Sequence, residues 1–484
     1  MSDFGNKYLK EFDDKTLRNI LVIFSVSALA IILYAFVFSG FQIVDEFEHL
    51  HASWLVSTGR VPYRDFFEHH HPLMWFLSAP LVWFYFDDLN IFYVMRGISF
   101  IISCATLFYV YKITQFWGSK NSGIFAVFLS LANIITIYNF YQYRPDVYMN
   151  FTFILGGYYW LLYLRTQKDI HLTVSFICFA LSLLFLQKIA LMLCVVEGIL
   201  MILWFQKKIK LISLIKAALP ALMLGLLFFF YLYHCNALMD YFNFNYRFNK
   251  AMLFYFNRGA FWIQNIALSI YGFALLTALI FFKKKNIYFK IAAILFGAEF
   301  LMRVFYFSPH PNYYTLLTFL AALILSVWLD VLMPKHKILM ISVLVAAVFQ
   351  LNTLLNTITK TSEMNSSYNY YKQAEYIHKN SKTDDYLMNG YDMNFNVYRK
   401  DVSFYWFGLD MLLPIIEQEF GIEQKTDIND FILKYKPRFV YAVNYPDLRA
   451  YRTYGERTYS QVFEPIILDD LYQETPFENL LILK

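Results

Sequence analysis

The segment VDEFEHLHASWLVSTGRVPYRDFFEHHHPLMWF, residues 44–76, decides how the rest of the chain is read. It gathers Asp45, Glu46, Glu48, His49, His51, Arg60, Arg64, Asp65, Glu68 and three consecutive histidines, His69 to His71. Apolar runs at 21–38 and 92–111 flank it, each suited to a membrane span of roughly 20 residues. Two readings compete for so dense a set of titratable groups. One is a solvated loop whose charges pair with each other. The other is a functional surface, because ionisable residues at membrane boundaries commonly mark function.

Further apolar runs follow at 122–140, 147–164, 172–186, 190–205, 211–233, 261–282, 288–307, 313–332 and 338–355. Together they predict a polytopic α-helical membrane protein with about eleven spans. Composition agrees: 58% of the 484 residues are hydrophobic and only 16% charged, against about a quarter charged in soluble domains. The mean hydropathy is +0.42. Aromatics reach 21%, as suits lipid-facing and interfacial positions. The net charge of +5 gives no reason to expect nucleic acid. Cys104, Cys178, Cys194 and Cys235 lie in or beside apolar runs and read as packing residues. The basic start (Lys7, Lys10, Lys15, Arg18) precedes a full-length span rather than a cleavable leader.

Lysine and arginine set the orientation. With a cytoplasmic N-terminus, the inner loops hold Lys112 and Lys120, Arg165 and Lys168, Lys207 to Lys216, Lys283 to Lys285, and Lys335 and Lys337. The alternation holds only if the chain turns at Gln187-Lys188, between two short spans. It also requires 73–86, interrupted by Pro80, to lie at the interface instead of crossing. The bilayer part is then 1–359, with an outer loop at 40–90, and the tail 360–484 forms a small extracytoplasmic α/β domain. Within the tail, 368–380 and 428–435 read as amphipathic helices, Asp427 as an N-cap of the second, and 439–443 and 480–483 as strands.

On this topology three further features face outward. They are Arg144-Pro145-Asp146, Lys188, and the turn Ser308-Pro309-His310-Pro311-Asn312-Tyr313-Tyr314. Each alone is an ordinary boundary residue or aromatic anchor; together they put acids, cations and histidine at one depth. A metal site is the other use for this chemistry, since histidine and carboxylate suit zinc or manganese. Against it, adjacent histidines on one backbone do not all face one ion, and no i, i+4 pair on a helix stands out.

An acidic pair after the first span followed by G-x-x-P-Y-x-D-F-x-E-x-H-x-P, Gly59 to Pro72, resembles the GT-C glycosyltransferases. Within them it looks like the protein mannosyltransferase and aminoarabinose transferase superfamily. The resemblance implies a polyprenyl-phosphate-linked sugar donor and a protein, lipid or glycan acceptor met outside the cytoplasm, in a bacterial inner membrane. It implies Asp45 as catalytic acid-base group, with Glu46 beside it, and Asp146 as the second acid. Arg60, Arg64, Asp65, His71, Arg144, Lys188, His310, Tyr313 and Tyr314 are then the substrate-binding candidates. One departure stands out: Glu46 is followed by Phe-Glu-His, where some members have Arg-Tyr. Phosphate is a good leaving group, so a dedicated general acid is not required; no cofactor is expected to be required, and a divalent metal is an option rather than a need. The rival function is a transporter or flippase of a lipid-linked saccharide. Transporters place ionisable residues near the bilayer midplane; here the interior acids are chiefly Glu197 and Glu299, the latter one turn from Arg303.

Overall fold

The computed structural model describes residues 14–38, 44–251, 261–305, 311–328, 345, 348–349, 352, 355–356, 370–389, 396–404, 406, 428–441, 470–477 and 480–484. His310, Asp427 and most of the last apolar run lie outside the described residues.

The helices are α1 (Asp14–Phe38), α2 (Val44–Ser57), α3 (Leu73–Phe84), α4 (Ile91–Thr114), α5 (Lys120–Leu131), α6 (Ile134–Asn139), α7 (Pro145–Thr166), α8 (Asp169–Phe185), α9 (Ala190–Phe205), α10 (Leu211–His234), α11 (Leu238–Phe242), α12 (Phe261–Phe282), α13 (Ile287–Phe305), α14 (Thr315–Leu325), α15 (Tyr370–Lys379) and α16 (Ile428–Tyr435). The strands are β1 (Tyr386–Asn389), β2 (Lys400–Asp401), β3 (Phe439–Tyr441), β4 (Tyr472–Glu474) and β5 (Leu480–Leu483). Among the described residues, Ile91–Thr114, Gln187–Phe205 and Leu211–His234 are long and apolar enough to cross a membrane. On α10 the side chains of Leu222, Leu226 and Phe230 are exposed, as lipid-facing residues are. The 12 residues of α3 rise about 18 Å, too little for a hydrocarbon core of about 30 Å.

The chain forms two compact units. The first comprises Met1–Ser39, Arg96–Leu226 and Arg258–Lys360. Here α7 packs along α8. Gly156 allows it, because a Cβ there would come within 2.8 Å of the Phe179 ring. Ser175 Oγ donates to the Gly156 carbonyl at 2.8 Å across the same contact. The run 122–140, read as one span, is two helices. The first ends at Leu131, and Asn133 caps the second, its side chain accepting from Ile135 N at 2.9 Å. The chain also breaks at Gln187-Lys188, where extended Leu186 leads into the 3₁₀ turn Gln187–Ile189 between α8 and α9.

The second unit comprises Gly40–Met95, Leu227–Asn257 and Thr361–Lys484. The tail folds as a mixed five-stranded sheet in the order β2-β1-β3-β5-β4. β1 runs parallel to β2 and β3, while β5 runs antiparallel to β3 and β4. Met388, Val402, Ile432, Val440 and Tyr472 form its core. The charged segment read as a loop holds the buried helix α2, packed on α3. The tail fastens to this segment. Phe67 N donates to Phe404 O at 3.0 Å, Trp406 Nε1 donates to Phe67 O at 3.0 Å, and Tyr398 Oη donates to Tyr85 O at 2.8 Å. Buried Arg399 donates to Asp87 at 2.6 Å.

Candidate active site

In the first unit the site grows from three helix ends. Pro145 fixes φ at the first position of α7 and forces Arg144 before it into extended backbone. That ends one segment and starts a helix with Asp146 in its first turn, where the helix dipole favours a carboxylate. The 3₁₀ turn after α8 supplies Lys188, and the turn Pro311–Tyr314 before α14 supplies Tyr313. These residues meet. Lys188 Nζ lies 3.5 Å from Asp146 Oδ1, and Arg144 Nε lies 3.6 Å from Asp146 Oδ2. Both separations are long for hydrogen bonds. Lys188 Nζ also sits over the Tyr313 ring, 3.5 Å from its centroid, a close cation–π contact.

A narrow cleft is lined by Asp146, Lys188, Asn150, Arg303, Asn312 and Tyr313 with Met149, Ile189 and Leu316. A second shares Asp146 and Asn150 and adds Ser103, Thr106, Thr136, Asn139 and Thr315. With its amide turned so that oxygen faces the cation, Asn312 accepts from Arg144 Nε at 2.9 Å. Arg303 Nε donates to Glu299 at 2.7 Å and its guanidinium lies 5.7 Å from the Tyr313 ring. Arg303, Asn150 and Asn312 were not singled out for the site from sequence. Asn150, one helical turn after Asp146, is the one with a local signal. Tyr314 is buried, and its carbonyl accepts from Thr318 Oγ1 at 2.9 Å. The cleft is lined by its neighbour Tyr313.

In the second unit, Asp45 is half-buried and Glu46 buried, both in the first turn of α2. Arg60 is exposed just after that helix. Arg64 grips Asp65 through Nε and Nη2, each at 2.7 Å, and reaches the Cys235 carbonyl at 3.1 Å. The guanidinium holds the Asp65 carboxyl below the usual range. His71 is buried, its Nε2 at 2.9 Å from Tyr241 Oη. His51 meets Asp401 at 2.9 Å, and Trp75 Nε1 donates to His49 Nδ1 at 3.3 Å. The two histidines of α2 thus serve different partners.

The three adjacent histidines do not all face one point: His71 turns to Tyr241, while His69 and His70 converge. Glu48, Glu68, His69 and His70 each offer a ligand atom within 4.8 Å of the others. His69 and His70 lie outside regular strand, where side chains need not alternate. Their rings tilt by 42° with centroids 4.1 Å apart. Tyr63 Oη donates to the His70 carbonyl at 2.6 Å, and Asn249 Nδ2 donates to that of His69 at 2.7 Å, fixing the backbone. Burial pushes the Glu68 carboxyl well above its ordinary range, against the opposing hydrogen bond from His69 N.

No protein-family model matches this sequence, and no curated protein matches it. The fold is similar to the crystal structure of ArnT from Cupriavidus metallidurans bound to undecaprenyl phosphate. The TM-score is 0.59 at 13% identity, over 83% of this chain and 88% of that one. Two structures of the Archaeoglobus fulgidus oligosaccharyltransferase align more loosely. Their TM-scores are 0.46 and 0.43 at 13% identity, over 81% and 79% of this chain and 64% and 62% of theirs. At such identity the likeness is one of fold.

Proposed function

We propose that this chain, an integral membrane protein with the GT-C fold, moves a sugar from a polyprenyl-phosphate donor to an acceptor hydroxyl or amine on the non-cytoplasmic face, with inversion. One observation carries the reading: Arg144 and Lys188 converge on Asp146 at the rim of a cleft, in a fold shared with a protein crystallised with undecaprenyl phosphate. In the reaction the acceptor oxygen or nitrogen attacks the anomeric carbon, the carbon–oxygen bond to phosphate breaks, and the electron pair leaves on the phosphate. Fixed positive charge in a water-poor place stabilises that departing charge most. Lys188 and Arg144 supply it. The Tyr313 ring holds the lysine from one side without neutralising it. Asn150 and Asn312 add neutral polar groups to the cleft.

Asp45 takes the acceptor proton as general base. That role rests on the resemblance of its segment, and its place in the first turn of α2 favours the ionised form such a base needs. Asp146 orients the two cations. Arg60, Asp65 and His71 belong to the acceptor side, and the apolar helices receive the polyprenyl chain. The accompanying topology has about eleven spans within 1–359, a cytoplasmic N-terminus and the tail 360–484 outside. The lysine and arginine alternation supports it. The displacement itself calls for no cofactor.

The test uses purified protein in vesicles with a radiolabelled polyprenyl-phosphate sugar. Label in an acceptor supports the transferase. Label that crosses the vesicle without joining an acceptor would make the protein a transporter instead. Asp45→Asn is expected to cut transfer by about 100- to 10,000-fold, the span of a lost general base, with insertion unchanged. Transfer at the native rate would remove Asp45 from that role.

A further inference from the structure

We propose that Glu48, Glu68, His69 and His70 bind one divalent cation of the zinc–manganese class. Glu48 projects from α2, and the other three come from the segment just before α3. Their ligand atoms lie within 4.8 Å of one another, with both carboxylates buried. His70 Nδ1 stands 3.7 Å from Glu48 Oε1 and also 3.7 Å from Glu68 Oε2. That spacing is too long for a hydrogen bond. It is close to the edge of a zinc tetrahedron, about 3.4 Å for metal–ligand bonds near 2.1 Å. A second observation points to a ligand. The Glu68 side chain has no solvent exposure, and its Oε1 has no hydrogen-bond partner among the described residues. A buried carboxylate oxygen left so is costly unless a proton or an ion meets it.

The donor set decides the class. Two imidazoles and two carboxylates suit borderline metals; thiolates are absent from the cluster and an all-oxygen calcium cage is excluded by the histidines. The surroundings are those of a held site. Tyr63 and Asn249 fix the carbonyls of His70 and His69. Buried His49 meets the His70 ring edge-on, with centroids 5.2 Å apart. Such an ion would tie the segment to α2 without a disulfide. His70 lies between the two carboxylates. The site does not depend on the transferase reading, because the four ligands are argued from their own spacing and burial.

The experiment uses the full chain in detergent, free of any histidine tag and stripped with chelator. It is loaded with zinc or manganese chloride, desalted, and measured for metal and protein by mass spectrometry. One retained equivalent is expected for the native chain. Glu68→Gln and His70→Asn are expected to retain at least roughly tenfold less, while His171→Ala, far along the chain, retains the full amount. Cobalt loading gives visible absorption that the two ligand variants lose. Size-exclusion profile and melting curve check folding, and His69→Asn, at a half-exposed position, serves if Glu68→Gln fails to fold. Less than a tenth of an equivalent in the native chain (about background), or equal retention in the ligand variants, overturns the site. Metal retention is read without any sugar transfer. A negative result therefore leaves the transferase reading standing, and loss of transfer leaves this one standing.

Discussion

Asp146 meets the Lys188 ammonium and the Arg144 guanidinium, whereas Glu48 and Glu68 meet the imidazole of His70. As sequence both regions set acid beside base, one as Arg144-Pro145-Asp146 and the other across the dense segment 44–76. They differ in what a substrate finds. Around Asp146 the permanent charge is positive in excess, which suits an anion. Around Glu48 and Glu68 two buried carboxyls converge with two imidazoles, which suits a metal cation.

The sharpest way to break that contrast is Lys188→Met. It removes charge at similar length and leaves the Tyr313 ring in place. The expected loss in kcat/KM is about 100-fold, comparable to losing one oxyanion donor. A change under about threefold would mean that the cleft charge does not face the donor phosphate. A middle-sized effect comes from acid. The Asp87 carboxyl loses some stability as an ion through burial, but His378 and Arg399 outweigh this and hold its pKa below the ordinary value. The unfolded chain therefore takes up that proton first as pH falls. The contribution is present above about pH 4 and fades below it. Tryptophan fluorescence during urea unfolding reads this out. Asp87→Asn should be less stable near neutrality and show a flatter decline in acid; an unchanged acid profile would dismiss the pair. The smallest effect is expected at Arg64. Its side chain is 42% exposed and already committed to Asp65, so Arg64→Ala should leave stability and donor KM nearly unchanged. A large rise in KM would move the phosphate site toward the second unit.

What the sequence made legible was local. The helix 428–435 and the strand 480–483 match the structure to the residue, because each is a short periodic run with its own boundaries. Arg-Pro-Asp announced a helix start, and the break at Lys188 followed from loop charge. What stayed hidden needed distant partners. His51 finds Asp401 across 350 positions, and nothing near His51 signals it. Arg303 read as half of an interior ion pair and also lines the cleft, which only the packing of α13 beside α14 reveals. The meeting of His69 and His70 with Glu48 and Glu68 escaped because it depends on an irregular backbone and on a partner about 20 positions away. Asn133 escaped as a helix break because one polar residue inside a long apolar run rarely outweighs it.

The meeting of Arg144, Lys188 and Asp146 has a consequence for turnover. The three groups together leave a single net positive charge. On the proposed reaction the donor is a phosphate diester with one negative charge, so the two match. The released polyprenyl phosphate is a monoester with about −1.5 to −2 at neutral pH. Asp146 then tempers the cations' hold: with it, the spent carrier is under-compensated and departs. An Asp146→Asn chain would bind its product more tightly and stall, so the acid would govern how quickly the enzyme is cleared for the next carrier.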